Sequence, residues 1–190
     1  MAQSLKKREQ VDSSSSERLI RFLDETRLHK KDFAEMIGVT LSYVYSLIDH
    51  EIPFSTRSVT IERIAVVMGA SPESYPEYRL PEEPRLMDPG IEFLKERQIR
   101  CGLSNVQFLK RFPRQNRVEI VDMWRGALPF PMDWLKLSAI AATLELNKED
   151  VYPYWQARLQ QYLTAGGFDP LSNIGLMNAM FQGARHYLKL

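Results

Sequence analysis

Hydrophobic and polar residues follow each other along this chain with the period of an amphipathic α-helix, in which apolar positions recur at steps of three and four. The clearest stretch covers residues 30–49, where two apolar stripes are separated by a short gap. The stripes consist of Phe33, Ala34 and Ile37 in the first and of Val44, Leu47 and Ile48 in the second. The pattern predicts two short helices joined by a tight turn.

The residues around the gap are those that such a turn requires. Gly38 tolerates the left-handed backbone that ends a helix, and Ala34, four residues earlier, lets two helices approach closely. Thr40 stands where the N-cap of the second helix belongs. A helix pair of this kind is able to lay its second helix along the major groove of DNA. We therefore predict a helix-turn-helix.

Three further helical segments complete a first unit over residues 17–78. One helix begins after Ser16 and precedes the pair. Another begins at Ser58 or Thr60, after a loop with proline, and ends at Gly69. A last short turn, with proline in its first helical position, closes the unit. The first unit is thus predicted to hold five helices.

Two segments lack helical periodicity. Residues 1–16 end in a run of serines and are expected to form a flexible arm, whose basic residues either contact phosphates or are only solvated. Residues 79–89 are rich in proline and acidic side chains. Proline excludes a regular helix there, so we expect a semi-rigid linker and a domain boundary.

The helical pattern returns after the linker and repeats landmarks of the first unit. The matching pairs are Ile91–Glu96 with Ile20–Glu25, Leu103 and Phe108 with Leu28 and Phe33, Leu128–Phe130 with Ile52–Phe54, and Ile140–Ala141 with Ile64–Ala65. The offset between the matching pairs grows only from 71 to 76 residues. This favours an internal duplication over a chance likeness of two helical segments. We therefore predict a second, degenerate unit over residues 90–165.

The second unit departs from the first at the turn and is the more basic of the two. Leu109 or Lys110 replaces the small residue, and Pro113 or Arg114 replaces the glycine. The first unit carries seven basic and ten acidic side chains, whereas the second carries eleven and eight. The rebuilt turn is either a contact for DNA phosphates or a solvated charged turn. Its basic residues are Lys110, Arg111, Arg114 and Arg117.

An apolar stripe also runs along the last segment, residues 166–190. Asp169 and Pro170 fit the N-cap and the first position of a helix. The stripe recurs at three- and four-residue steps and either packs on its own domain or contacts a partner or a second copy. The candidates for a partner contact are Leu171, Ile174, Met177, Phe181 and Leu188.

The order of helices in the first unit resembles the Cro and phage-repressor family of helix-turn-helix domains, also called Xre-like. The likeness is carried by Leu28, Phe33, Ala34, Gly38, Val39, Thr40, Tyr43, Val44, Leu47, Ile48, Ile64, Ala65 and the segment 69–72. Together with the duplication, the resemblance implies an all-α chain of two tandem five-helix, lambda-repressor-like helix-turn-helix domains plus a C-terminal helix. It further implies sequence-specific binding of double-stranded DNA in transcription regulation, usually as a dimer, in a regulator of bacterial or phage type.

The family pattern also implies which side chains face DNA. Those turned toward base edges are Leu41, Ser42, Tyr45 and Ser46, because a serine hydroxyl suits several bases and leucine suits a thymine methyl. The candidates for phosphate contact are Lys30, Thr40, Tyr43, His50 and Arg57. Tyr43 has packing on the core as its alternative role.

Other classes of function find little in the sequence. We expect no enzyme, since the chain has no phosphate-binding glycine loop and no nucleophile motif. One cysteine and three scattered histidines predict neither a metal site nor a cofactor. No apolar run approaches the ~18–20 residues of a membrane span, so we expect a cytoplasmic, nucleoid-associated protein.

The main alternative is a protein-interaction module on a helix-turn-helix scaffold, either a co-regulator or an antitoxin-like protein. In that case the first unit binds DNA weakly or not at all, because its net charge is −3. The C-terminal stripe then contacts RNA polymerase or a co-regulator. Both activities are also compatible within one activator that bridges promoter and polymerase.

Overall fold

All regular elements in the described part of the chain are helices. The computed structural model describes residues 15–49, 54, 57–80 and 85–190, and no strand occurs in these ranges. The all-α prediction is therefore confirmed. The helices are α1 (15–26), α2 (Lys30–Ile37), α3 (Leu41–Ile48), α4 (Ser58–Met68), α5 (Pro89–Arg100), α6 (Asn105–Arg111), α7 (Arg117–Trp124), α8 (Trp134–Thr143), α9 (Lys148–Ala165) and α10 (Ile174–Leu188), with 3₁₀ turns at Pro72–Ser74 and Arg114–Asn116.

The turn between α2 and α3 has the geometry that its residues predict. Gly38 follows α2 with φ 70° and ψ 40°, and its amide donates to the carbonyl oxygen of Ala34. Thr40 is the N-cap of α3, and its hydroxyl oxygen accepts from the amide of Tyr43 at 3.2 Å. The positive φ is a backbone conformation that favours glycine, and a β-carbon would also lie 2.9 Å from the guanidinium of Arg63, whose end would have to shift.

We call residues 15–80 the first half and residues 85–165 the second half. The two halves bury apolar side chains at positions that are 75 or 76 residues apart. The pairs include Phe33 and Phe108, Val44 and Ile120, Phe54 and Phe130, Ile64 and Ile140, and Tyr75 and Val151. Left-handed backbone recurs at the same spacing, at Arg27 and Gly102 and at Gly69 and Glu145. The spacing that the sequence shows thus extends to burial and backbone conformation, and the order of helices α1–α4 matches that of α5–α8.

The two halves share one hydrophobic core. Buried residues from α1 to the start of α9 belong to a single contiguous cluster. Helix α7 packs against α2 and α4 of the first half as well as against α5 and α6 of its own. The halves are therefore joined by a packed interface, which the sequence pattern does not reveal.

The segment that leads into α5 is fixed to the body of the protein. The amide of Leu86 donates to the carbonyl oxygen of Gly126 at 3.1 Å. Asp88 is 4% exposed and caps α5 by accepting from the amide of Gly90 at 2.9 Å. Residues 85–88, at the end of the segment 79–89 expected to form a linker, are thus bonded to α5 and to the turn after α7. Residues 81–84 lie outside the described part.

The last helix packs on an aromatic cluster at the start of α9. Met177 and Phe181 are 2% and 6% exposed. The hydroxyl of Tyr152 donates to the carbonyl oxygen of Phe181 at 2.9 Å, and the ring of Trp155 stacks on that of Tyr152. Helix α10 therefore uses one apolar face to attach to α9. None of the described helices has the length and apolar character needed to cross a lipid bilayer.

Candidate nucleic-acid interface

Helix α3 is buried on one face and exposed on the other. Val44 and Leu47 are fully buried against the first half. On the opposite face Leu41 is 38% exposed, Tyr45 is 44% exposed and Ser42 is exposed. Ser46 is half-buried at the edge of this face. Leu41, Ser42 and Tyr45 therefore lie on the outer side of α3, which the described chain leaves accessible, whereas Ser46 lies at its edge.

The N-terminal end of α2 adds basic side chains next to this surface. Lys30 and Lys31 open the helix, and the ammonium group of Lys30 lies 4.7 Å from the ring centroid of Tyr45 in α3. A shallow groove between the two helices is lined by Leu28, His29, Lys30, Lys31, Asp32, Leu41, Tyr45 and Arg114. We call this group of residues the α2–α3 groove. His29 and Lys31 belong to it although the sequence pattern did not single them out.

The remaining candidates for phosphate contact occupy varied positions. Arg57 and Thr40 are exposed, and Tyr43 is half-buried against the core. The hydroxyl oxygen of Thr40 already accepts from the Tyr43 amide, so this residue first serves the start of α3. His50 lies outside the described residues.

Arg114, in the 3₁₀ turn before α7, reaches across to the first half. Its guanidinium Nη2 lies 3.3 Å from Oδ1 of Asp32, and its Nε lies 3.6 Å from Oε2 of Glu35. The arginine side chain remains 59% exposed. A residue of the second half therefore takes part in the α2–α3 groove, which its position in the sequence does not indicate.

Arg117 has a structural environment that differs from the expected phosphate contact. It is 8% exposed, and its Nε donates to the carbonyl oxygen of Phe112 at 3.1 Å. Its Nη2 donates to the carbonyl oxygen of Lys110 at 3.4 Å. These carbonyls end α6, where Pro113 interrupts the chain and no continuing helix bonds them. Arg117 is thus occupied inside the protein, whereas Lys110 and Arg111 are exposed.

Helix α7 holds, within the second half, the place that α3 holds in the first, but it is covered. Ile120, Val121, Asp122 and Met123 are all buried. The helix lies between its own half and helices α2 and α4. The second half therefore presents no exposed counterpart of the α3 surface.

An ion network occupies the contact between the halves. Asp122 accepts from Arg63 at 2.8 and 2.6 Å and from Arg125 at 2.7 Å. Arg125 also donates to Glu62 at 2.7 Å, and Glu62 forms a further ion pair with Arg85. Glu62 is 1% exposed, and its carboxylate also accepts from the hydroxyl of Tyr78 at 2.9 Å. We call Glu62, Arg63, Arg85, Asp122 and Arg125 the interface network.

The protonation of Asp122 depends on this network. Burial raises the pKa of its carboxyl group, but the hydrogen bonds and positive charges of Arg63 and Arg125 together outweigh burial and lower the pKa below its usual value. Asp122 is therefore ionised at neutral pH, which is the state that its two arginine partners require.

The apolar stripe of the last segment is divided between an inner and an outer face. Met177 and Phe181 are buried, and Leu188 is half-buried. These three are thus used within the chain to different degrees, whereas Leu171 and Ile174 are 84% and 62% exposed. Leu176, Met180 and Tyr187 of α10 are also exposed, although the sequence pattern did not select them.

No group of three or more potential metal ligands occurs among the described residues. Comparison of the chain with protein-family models, with curated proteins and with solved structures gave no match. What the protein does is therefore inferred from its own side chains and their geometry.

Proposed function

We propose that this protein is a sequence-specific regulator of transcription that binds double-stranded DNA through a helix-turn-helix of the Cro and phage-repressor type. The observation that carries the proposal is the exposure of the outer face of α3 beside the basic N-terminal end of α2. The face combines apolar and hydroxyl side chains beside basic ones, a composition that suits contact with base edges and phosphates. The proposal includes a cytoplasmic, nucleoid-associated location.

The geometry supports a division of labour between the two helices. Lys30 and Lys31 at the start of α2 fit phosphates, which position the protein without reading sequence. The outer face of α3 fits the major groove, with Leu41 suited to a thymine methyl group and Ser42 to a hydrogen bond with a base edge. No arginine or glutamine able to form a two-bond contact with a base lies on α3, so the shape of the DNA also contributes to specificity.

We further propose that the second half is a degenerate helix-turn-helix unit that braces the first. The repeated burial and backbone positions support a common origin of the halves. Because α7 is covered, each chain offers one reading helix. An operator with two half-sites then requires two chains, with their α3 helices about 34–36 Å apart.

A protein-interaction module is the second candidate function, favoured by the outer face of α10. The exposed apolar residues of α10 are Ile174, Leu176, Met180 and Tyr187, and Leu171 is exposed in the turn before the helix. Such a face suits RNA polymerase, a co-regulator, a toxin or a second copy of the chain. In this alternative, helix-turn-helix geometry is retained without tight DNA binding.

The first experiment selects binding sites from random duplexes with the full-length protein and then measures binding by gel shift at two salt concentrations. We expect an enriched sequence, with affinity that falls as salt rises. Replacing Leu41 and Ser42 together by alanine should weaken binding to the selected site about tenfold. Leu135→Ala, which removes an 81% exposed leucine from α8, is the matched control and should bind normally.

The outcomes separate the two functions. Absence of a shift at low salt, with the fold intact by circular dichroism, would reject DNA binding and leave the interaction module. Equal binding of the double variant and the control would show that α3 does not read DNA, even if the protein binds DNA elsewhere.

A further inference from the structure

Two carboxylates stand beside the proposed DNA-binding surface. Asp32 lies in the first turn of α2, within the α2–α3 groove, and Glu35 follows one turn later. Their side chains are 16% and 29% exposed. A phosphate close to α2 would be repelled by both, since like charges interact strongly at a partly buried surface. A DNA-binding role for this surface therefore requires that the two charges be compensated.

The compensating charge comes from the second half. The guanidinium of Arg114 lies between the two carboxylates, 3.3 Å from Asp32 and 3.6 Å from Glu35. The site then holds three cations, Lys30, Lys31 and Arg114, and two carboxylates. Without Arg114 the two signs would be equal, and the surface would lose its net attraction for phosphate.

The chain around Arg114 holds it in this position. Pro113 precedes it with φ −52°, and the 3₁₀ turn Arg114–Asn116 follows directly. The buried guanidinium of Arg117 bonds the carbonyl oxygens of Phe112 and Lys110 and so ties this turn to the end of α6. The rebuilt turn of the second half is therefore anchored to the end of α6 at the point from which Arg114 extends to α2.

We propose that Arg114 is a positioning residue that neutralises Asp32 and Glu35 and thereby makes the α2–α3 surface attractive to DNA. This inference rests on the proposed function. It gives the second half a defined role, because its turn no longer reads DNA but corrects the charge of the unit that does. Arg114 acts through the carboxylates rather than through a phosphate of its own, and this distinction makes the proposal testable.

The test measures the affinity of full-length variants for the selected duplex. Arg114→Ala should weaken binding five- to tenfold, and adding Asp32→Asn and Glu35→Gln should restore affinity to within twofold of the wild type. Asp32→Asn with Glu35→Gln alone, which keeps Arg114, should bind more tightly than the wild type. Arg100→Ala is the matched control, because it removes the same charge from a 73% exposed side chain of the second half.

Each result decides between the alternatives. Unchanged affinity in Arg114→Ala would overturn the proposal. A triple variant as weak as the single one would also overturn it and would show that Arg114 contacts a phosphate directly. If the wild type binds no duplex, the proposed function fails instead. If Arg114→Ala melts at a lower temperature than the control, binding is measured at a temperature at which the melting curves show every variant folded, and the comparison of the single with the triple variant decides as before.

Discussion

Replacing Asp122 by asparagine tests whether the interface network fastens the two halves together. The carboxylate accepts three hydrogen bonds from Arg63 and Arg125, all between 2.6 and 2.8 Å. Asparagine leaves two guanidinium groups, 20% and 12% exposed, without their shared anion. Breaking a buried ion pair by removing one partner costs about 3–5 kcal/mol. We expect about 3 kcal/mol here, because Arg63 retains some access to water.

Urea unfolding at neutral pH measures this loss, with Asp24→Asn as the control that removes an exposed carboxylate from α1. We expect the asparagine variant at position 122 to lose about 3 kcal/mol and the control to lose about 0.5 kcal/mol or less. A difference below about 1 kcal/mol between the two variants would refute the idea that the network stabilises the interface.

Repeating the urea unfolding at decreasing pH gives a second check. Because the pKa of Asp122 is lower in the folded protein than in the unfolded chain, its stabilising contribution is fully present above the unfolded value of about 3.9. That contribution is lost as the pH falls through the lower, folded pKa. The wild type should therefore lose stability below about pH 4 more steeply than the Asp122→Asn variant. If the stability of both proteins fell equally with pH, the lowered pKa of Asp122 would be contradicted.

Three further changes probe the turn, the groove and the last helix. Gly38→Ala should destabilise the protein by about 2 kcal/mol in urea unfolding, since its φ is 70° and its new β-carbon would crowd Arg63; a change under about 0.5 kcal/mol would argue against strain. Lys31→Ala should weaken binding to the selected duplex and to random duplexes alike, and should reduce the slope of log affinity against log salt concentration by about 0.9. A loss of affinity confined to the selected duplex would instead indicate base contact. Phe181→Ala should cost about 3 kcal/mol and raise hydrogen exchange in α10 first, and uniform exchange would show that α10 does not open separately.

Local features of the fold followed from the sequence because they depend on neighbouring residues. Glycine at 38 and threonine at 40 specify the end of one helix and the start of the next, and the structure has both. The apolar stripes of α2 and α3 likewise identify the faces that are buried. The outer face of α3 follows by exclusion, since a stripe of known period leaves the opposite side to solvent.

The packing of one half on the other did not follow, because periodicity tells which face is buried but not what covers it. Helix α7 has little amphipathic pattern, since both of its sides are in contact with protein. The residues that join the halves are far apart in the chain, as the pairs of Arg63 with Asp122 and of Arg125 with Glu62 illustrate at separations of 59 and 63 positions. No local rule links residues at such separations.

The charge of the second half shows how the same observation supports two interpretations. An excess of basic residues beside an acidic first half suggested contact with nucleic acid. Much of that charge is instead used between the halves, since Arg125 pairs with Glu62 and Arg114 pairs with Asp32. Opposite net charges in two adjacent units thus also signal that the units bind each other.

The single core that runs through both halves makes these halves one cooperative folding unit. A fragment that stops near residue 80 would leave the apolar sides of α2 and α4 in water and would aggregate rather than fold on its own. Selection on such a molecule therefore acts on the two halves together, because a mutation that destabilises either half lowers the amount of folded protein in the cell.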